Sequence, residues 1–352
     1  MRGDTVTLAL QLNETWFGLI AFLWVGYFFL EGFDFGVGML LPVVARDEGE
    51  RTQMLATIAP VWDGNEVWLI TAGASMFAAF PYWYATLFSG FYLALLLILV
   101  GLILRAVALE YRGKVDDDRW RRRWDVAIIA GSWLPAVLWG VAFANIVAGV
   151  PINADGDFTG NLGTLLNPFA LLGGMCFAAA FALHGLNFLA LKTTGPVNER
   201  ARSLTAPIGL IAIVTGAAFL AWNQIDRGKG WTWLFVVVAA AGLVGSVLSQ
   251  RMGRDGIAFV LTGVAIAAVT ITLFGTLYPD VMPSTTDVAY NLTVANASST
   301  PYTLRIMTWV AALMVPFVIG YQAWSYWVFR KRITQPATGR TVRSASATGA
   351  TR

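Results

Sequence analysis

Nine separate stretches of this chain are apolar over about 20 residues or more, the length an α-helix needs to cross the hydrocarbon core of a bilayer. They run over 16–44, 54–80, 82–111, 124–148, 165–191, 204–222, 231–250, 256–278 and 303–329. In lipid every backbone polar group must be satisfied within the span, so stretches of this length predict helices. The expected fold is therefore an all-α polytopic membrane protein with nine transmembrane helices. Only 13% of the 352 residues are charged, against about a quarter in a soluble domain, and no large soluble domain fits between the spans. Residues 1–333 read as the integral membrane domain. The segment 334–352, rich in Ser, Thr, Ala and Gly with scattered Arg, cannot bury a core and reads as a disordered cytoplasmic tail.

The distribution of Lys and Arg sets the orientation. Nineteen fall in the connections after the first, third, fifth and seventh spans and in the tail, and three on the opposite side. The N-terminus is expected outside and the C-terminus inside, as an odd number of spans requires. No basic patch interleaved with aromatics points to nucleic acid. The single Cys176 excludes an internal disulfide and a cysteine-based metal cluster. The first apolar stretch is too long for a cleavable signal and lacks small residues at a cleavage site.

Acids inside the spans carry the functional signal. Placing a carboxylate at the bilayer centre costs about 2.5–3.5 kcal/mol on insertion scales. The second span holds Asp63 and Glu66, three residues apart and expected on one helix face. The first holds Glu31 and Asp34 in the same acid-Gly-x-acid arrangement. Four buried acids on adjacent helices need a shared polar lining, a partner or protonation, and the default role is proton or ion transfer. The competing reading is that they pin two helices together. Trp62 and Trp68 bracket the second pair in mid-span. Trp16, Trp83, Trp120, Trp124, Trp231 and Trp233 lie near span ends and read as an interfacial belt.

The remaining features have simpler readings. Gly32 and Gly36, four apart, allow close helix approach. His184 is the only histidine, so a bis-histidine haem site is impossible within this chain. It reads as a hydrogen-bonded packing residue, and any redox centres belong to a partner. Arg105 and Glu110 lie towards the inner end of the third span, where long side chains can snorkel to the interface. Glu110 reads as a surface residue, with proton entry as the minor alternative. The sequons at Asn291 and Asn296 read as chance.

The motifs Glu31-Gly32-Phe33-Asp34-Phe35-Gly36-Val37-Gly38 and Trp62-Asp63-Gly64-Asn65-Glu66-Val67-Trp68-Leu69 resemble those of subunit II of the cytochrome bd-type quinol oxidases. The resemblance continues through Phe88-Ser89-Gly90-Phe91-Tyr92, Gly140-Val141-Ala142-Phe143-Ala144-Asn145, Leu166-Asn167-Pro168-Phe169 and Tyr278-Pro279-Asp280-Val281-Met282-Pro283-Ser284, covering nearly the whole chain in order.

The resemblance implies two four-helix bundles plus one peripheral helix, in a heterodimer in a prokaryotic plasma membrane. It implies that haems b and d and the quinol-oxidising loop lie in the partner, subunit I, and that oxygen is reduced to water. This chain would bind no cofactor itself. Small accessory transmembrane subunits, and a quinone or lipid between the helices, stay open. Asp63 is the residue onto which a cytoplasmic proton path carries over, with Trp62 and Trp68 as neighbours. Glu66 and Glu31 occupy places where the family also carries Gln and Asp respectively. Two other functions fit polytopic topology and buried acids: a stand-alone proton-coupled transporter, and a purely structural stabiliser of a haem subunit.

Overall fold

A computed structural model describes residues 2–334, with side chains from residue 11 onward; the predicted tail, apart from its first residue, lies outside the described residues. The chain is almost wholly helical. It opens with α1 (Arg2–Val44), α2 (Glu48–Ile58), α3 (Trp62–Ala79), α4 (Pro81–Gly90), α5 (Tyr92–Tyr111) and α6 (Asp118–Ala148). A short α7 (Leu162–Leu165) precedes α8 (Pro168–Lys192), α9 (Pro196–Arg227), α10 (Thr232–Arg251), α11 (Asp255–Leu277) and α12 (Pro301–Val328). Between α11 and α12, β1 (Asp280–Met282) pairs antiparallel with β2 (Leu292–Thr293).

Eight of the described helices are long and apolar enough to cross a membrane: α1, α5, α6 and α8 to α12. The second predicted span is not among them. It is broken at residues 59–61, because Pro60 has no N–H and cannot donate to the carbonyl one turn back. What remains, α3, has 18 residues and begins with the polar run that includes Asp63, Asn65 and Glu66. Its rise of about 1.5 Å per residue still gives roughly 27 Å. The third predicted span is likewise divided, at Phe91 after Gly90, into α4 and α5.

α1 is the central element. It packs against α3, α6, α8 and α11, while α5 lies along α6, α8 along α9, and α10 along α11. The glycine pair foreseen on α1 faces α8. A Cβ on Gly36 would lie 2.1 Å from the Phe181 carbonyl and 2.7 Å from the Gly185 Cα, so only glycine lets α1 and α8 meet backbone to backbone. α12 stands apart, with Leu304 as its one buried residue. Two of the Trp residues assigned to an interfacial belt are instead core. Trp83 is 1% exposed, and the buried Trp16 donates from Nε1 to Thr308 Oγ1 on α12 at 3.0 Å. Trp231 and Trp233 are exposed as an interfacial position requires.

The two ends of the molecule differ in chemistry. At one end ion pairs gather: Arg112 with Asp125 at 2.6 Å and Glu48 at 2.9 Å, Arg200 with Glu50, and Asp255 with Arg202 at 2.6 Å and Arg332 at 2.8 Å. The other end is closed by the loop between α6 and α7 and by the loop after α11, which meet where Val150 bonds to Pro283 and Thr285. There Asn291 and Asn296 serve as loop ties. Asn291 accepts from the Ser284 amide at 2.8 Å, and Asn296 accepts from the Thr293 amide at 2.7 Å.

Candidate proton-transfer site

Glu31 and Asp34 lie one turn apart on α1, and both are fully buried. The helix that supplies the partner of Glu31 is α5, otherwise a run of mainly aliphatic residues, whose Arg105 is also fully buried. The Arg105 guanidinium donates from Nη2 to Glu31 Oε1 and, at 2.8 Å, to Glu66 Oε1 on α3. Its carbon lies 4.7 Å from the centre of the Phe35 ring. The snorkelling expected of Arg105 does not occur, because its two carboxylate partners lie inside. Glu110, by contrast, is exposed.

Asp34 has a separate partner. Its Oδ2 accepts from Asn65 Nδ2 at 2.7 Å. Asn65 Oδ1 accepts in turn from Tyr326 Oη at 2.8 Å and Gln322 Nε2 at 3.0 Å, both on α12. The four acids thus divide differently from the expectation of one buried set. Glu31 and Asp34 are buried, Glu66 is half-buried and turned inward, and Asp63 is exposed. Asp63 Oδ1 accepts the Gly64 amide at 2.8 Å. Positions three apart on a helix differ by about 60° in azimuth. That is enough for Glu66 to reach Arg105 while Asp63 looks out beside Val67, Ile70 and Phe77. Trp68 packs so tightly that a Cβ on Gly26 would lie 2.2 Å from its ring, and Trp62 is half-buried.

The cluster is under-satisfied. Glu31 Oε2, Asp34 Oδ1, Arg105 Nε and Arg105 Nη1 are buried with no protein partner. One guanidinium can balance one of three carboxylates. The other two become neutral only by holding protons, and buried polar atoms of this kind call for internal water. The arrangement can hold protons and pass them through water. Among the described residues no group of three or more His, Cys, Asp and Glu is arranged for a metal ion.

His184 is placed elsewhere. Its Nδ1 lies 2.7 Å from Thr262 Oγ1, its Nε2 lies 3.1 Å from the Phe29 carbonyl, and its ring stacks on Phe259. Both nitrogens are engaged, so the residue does not fit an axial haem ligand.

Sequence reasoning read Arg105 as a snorkelling side chain and missed its pairing, and it gave no role to Asn65, Gln322 or Tyr326. Arg105 had a signal, as a lone charge inside the aliphatic stretch of α5. Asn65 had a weaker one, as an amide between two acids. Gln322 and Tyr326 had none, since they meet Asn65 across more than 250 residues of chain.

Comparison with known proteins agrees with this architecture. The family model described as cytochrome bd terminal oxidase subunit II matches residues 12–329. Among curated relatives, cytochrome bd ubiquinol oxidase subunit 2 of Bacillus subtilis is 42% identical over 92% of this chain and 97% of its own length. Cytochrome bd-I ubiquinol oxidase subunit 2 of Escherichia coli K12 is 36% identical over 95% of this chain and 98% of its own. A chain of the solved bd oxidase from Geobacillus thermodenitrificans shares the fold with a TM-score of 0.72, at 15% identity, over 91% of this chain and all of that one.

Proposed function

Since this chain belongs to the cytochrome bd terminal oxidase subunit II family, as a multi-pass membrane protein acting in complex with a subunit I, we propose that it ligates no haem itself, scaffolds the haem-bearing subunit I and carries protons inward through its buried acids. The electron donor is a quinol, as the names of its relatives state for them. Haem supplies the redox chemistry from subunit I. This chain's own residues hold and move protons.

One observation carries the reading: two carboxyl groups share a single guanidinium, a third, Asp34, lies one turn from Glu31 on an amide, and buried polar atoms among them are left unpartnered. Reduction of oxygen to water consumes protons, and a cluster that is neutral only when protonated is a store for them. Asp63, one turn from Glu66 and exposed on α3, is the point of hand-over to the partner subunit. A carboxylate on a lipid-facing surface would be costly, so this face of α3 is covered in the complex. With α3 counted as a span, nine helices cross the membrane. α1, α3, α5 and α6 form one bundle, α8 to α11 the second, and α12 is peripheral. The basic end is cytoplasmic.

The test is Asp63→Asn in the assembled complex. An amide hydrogen-bonds in the same space but cannot release and regain a proton. Assembly and haem content should be kept while quinol-driven oxygen consumption per haem falls tenfold or more, about 1.4 kcal/mol of barrier. Near-normal turnover per haem would remove Asp63 from the path. A purely structural role predicts that assembly and activity are lost together.

A further inference from the structure

The break between α2 and α3 leaves a space of about 280 Å³ at the basic end of the molecule. Its mouth is bounded by Thr57, Pro60 and Val61 at the break, by Leu191 and Lys192 at the end of α8, and by Tyr326 and Arg330 at the end of α12, while Phe and Leu side chains of α1, α8, α11 and the end of α12 line the rest. The volume is enough for several waters, each taking about 30 Å³ in the liquid. Its walls offer polar partners. These are the Lys192 and Arg330 side chains and the Thr57 and Tyr326 hydroxyls.

Tyr326 forms one wall of this space and leads away from it. Its hydroxyl donates to Asn65 Oδ1 at 2.8 Å, and Asn65 Nδ2 donates to Asp34 Oδ2 at 2.7 Å. Behind them lies Asp34 Oδ1, buried and unpartnered. We propose that this space is a water-filled cytoplasmic inlet to Asp34, with Tyr326 as its gate and the bond from Tyr326 to Asn65 as the latch. The inference rests on the proton-path reading above and assigns its entrance. A proton arriving on water in the cavity passes to the free Asp34 oxygen when the Tyr326 ring swings aside, leaving neutral water behind. The path then runs from Asp34 to the Arg105 cluster and out through Asp63.

The end of α12 is built to hold this gate. α12 itself is hardly buried, yet the chain just after it is tied down at several points. Lys192 Nζ donates to the Phe329 and Lys331 carbonyls, the latter at 3.2 Å, and the Ile333 amide donates to the Lys192 carbonyl at 2.7 Å. Gln53 donates to the Ile333 carbonyl at 2.8 Å, and Arg332 pairs with Asp255. These ties fix the last turns of α12, and with them Tyr326 and Gln322, over Asn65. Tyr326 is thus a positioning residue that acts on Asp34 through Asn65.

The test uses the complete oxidase in inside-out vesicles. Cys176, the only cysteine of this chain, is first replaced by Ala, Leu191→Cys is added, and the same complex without the introduced thiol is the control for any cysteine of subunit I. A membrane-impermeant methanethiosulfonate bearing a sulfonate suits the cationic mouth. The Leu191→Cys variant should react from the cytoplasmic face, and reaction should lower oxygen consumption per haem at least threefold by filling the inlet. Thr57→Cys, across the cavity, replaces Leu191→Cys should that variant not assemble. Tyr326→Phe should keep haem content and the KM for quinol but change the solvent deuterium isotope effect on turnover at least twofold, which a merely structural tyrosine would not do. No reaction at either introduced thiol, or reaction without loss of turnover, overturns the inlet. Asp34→Asn separates the two readings. If it lowers turnover per haem while the introduced thiols do not respond, protons use Asp34 but enter elsewhere. If it leaves turnover unchanged, the proton-path reading fails as well.

Discussion

Two polar centres lie within this helical core, and they are built on opposite terms. Around Arg105, carboxyl groups outnumber the cation and several buried polar atoms have no protein partner. Around His184, between α1, α8, α10 and α11, the groups are neutral amides, hydroxyls and an imidazole. Since the Phe29 carbonyl can only accept, His184 Nε2 carries the hydrogen and Nδ1 accepts from Thr262. Asn187 donates to Ser246 Oγ at 2.8 Å in the same network. Of the buried polar atoms in this network only Asn187 Oδ1 lacks a protein partner, and a neutral network so nearly paired is cheap to bury and locks helices in register. A charged, under-paired one is expensive and gains little stability over apolar packing. The second centre reads as structure and the first as function, which is why the proton path is placed at the first alone.

The largest expected effect tests the charged centre. Arg105→Leu leaves Glu31 and Glu66 facing one another in a buried site without a cation. Breaking a buried pair from one side costs about 3–5 kcal/mol. The expected outcome is loss of assembled, haem-containing complex, measured by co-purification of subunit I and the visible spectrum. Arg105→Lys should restore part of the yield, since a single ammonium keeps the charge but not the planar fork. Normal yield of complex with Arg105→Leu would show that the two carboxyls are neutral without it.

The contrast between these centres also explains what the sequence could reveal. Eight spans were legible because their apolar length is a one-dimensional property. The break at Pro60 was overlooked because apolar residues on both sides masked a backbone effect. Glu31, Asp34 and Glu66 stood out as acids in apolar surroundings. Which of them turns inward depends on packing, and Asp63 turned out to face outward. The pairing of Arg105 with acids on α1 and α3, and the reach of Tyr326 to Asn65, depend on which helices become neighbours, and no local pattern encodes that.

The neutral centre should respond less. His184→Ala removes two hydrogen bonds and a stacked ring from a packed site, at a cost of about 1–3 kcal/mol for the polar groups left behind. The complex should melt at a lower temperature while keeping its full haem spectrum and its turnover per haem. Loss of one haem signal at normal yield would reveal His184 as an iron ligand and reverse the assignment of the two centres.

The smallest effect lies at the basic rim, where charge is used for stability alone. Glu50 Oε2 accepts the Arg46 amide at 2.7 Å and pairs with Arg200, whose Nε donates to the Val44 carbonyl at 2.7 Å. Burial works against the ionised form, but the hydrogen bonds from Arg200 and Arg46 outweigh it and hold this carboxyl below its ordinary value of 4.5. A group whose value is depressed in the folded state stabilises above its unfolded value, and that contribution fades as pH falls through the folded one. Glu50→Gln should therefore destabilise the complex by about 1 kcal/mol at neutral pH, the scale of one charge-assisted contact near the surface. The difference between wild type and variant should shrink below about pH 4.5. Melting temperatures of the two complexes between neutral pH and pH 4 measure it. A gap that stays constant over that range would mean that Glu50 acts through its shape and not its charge.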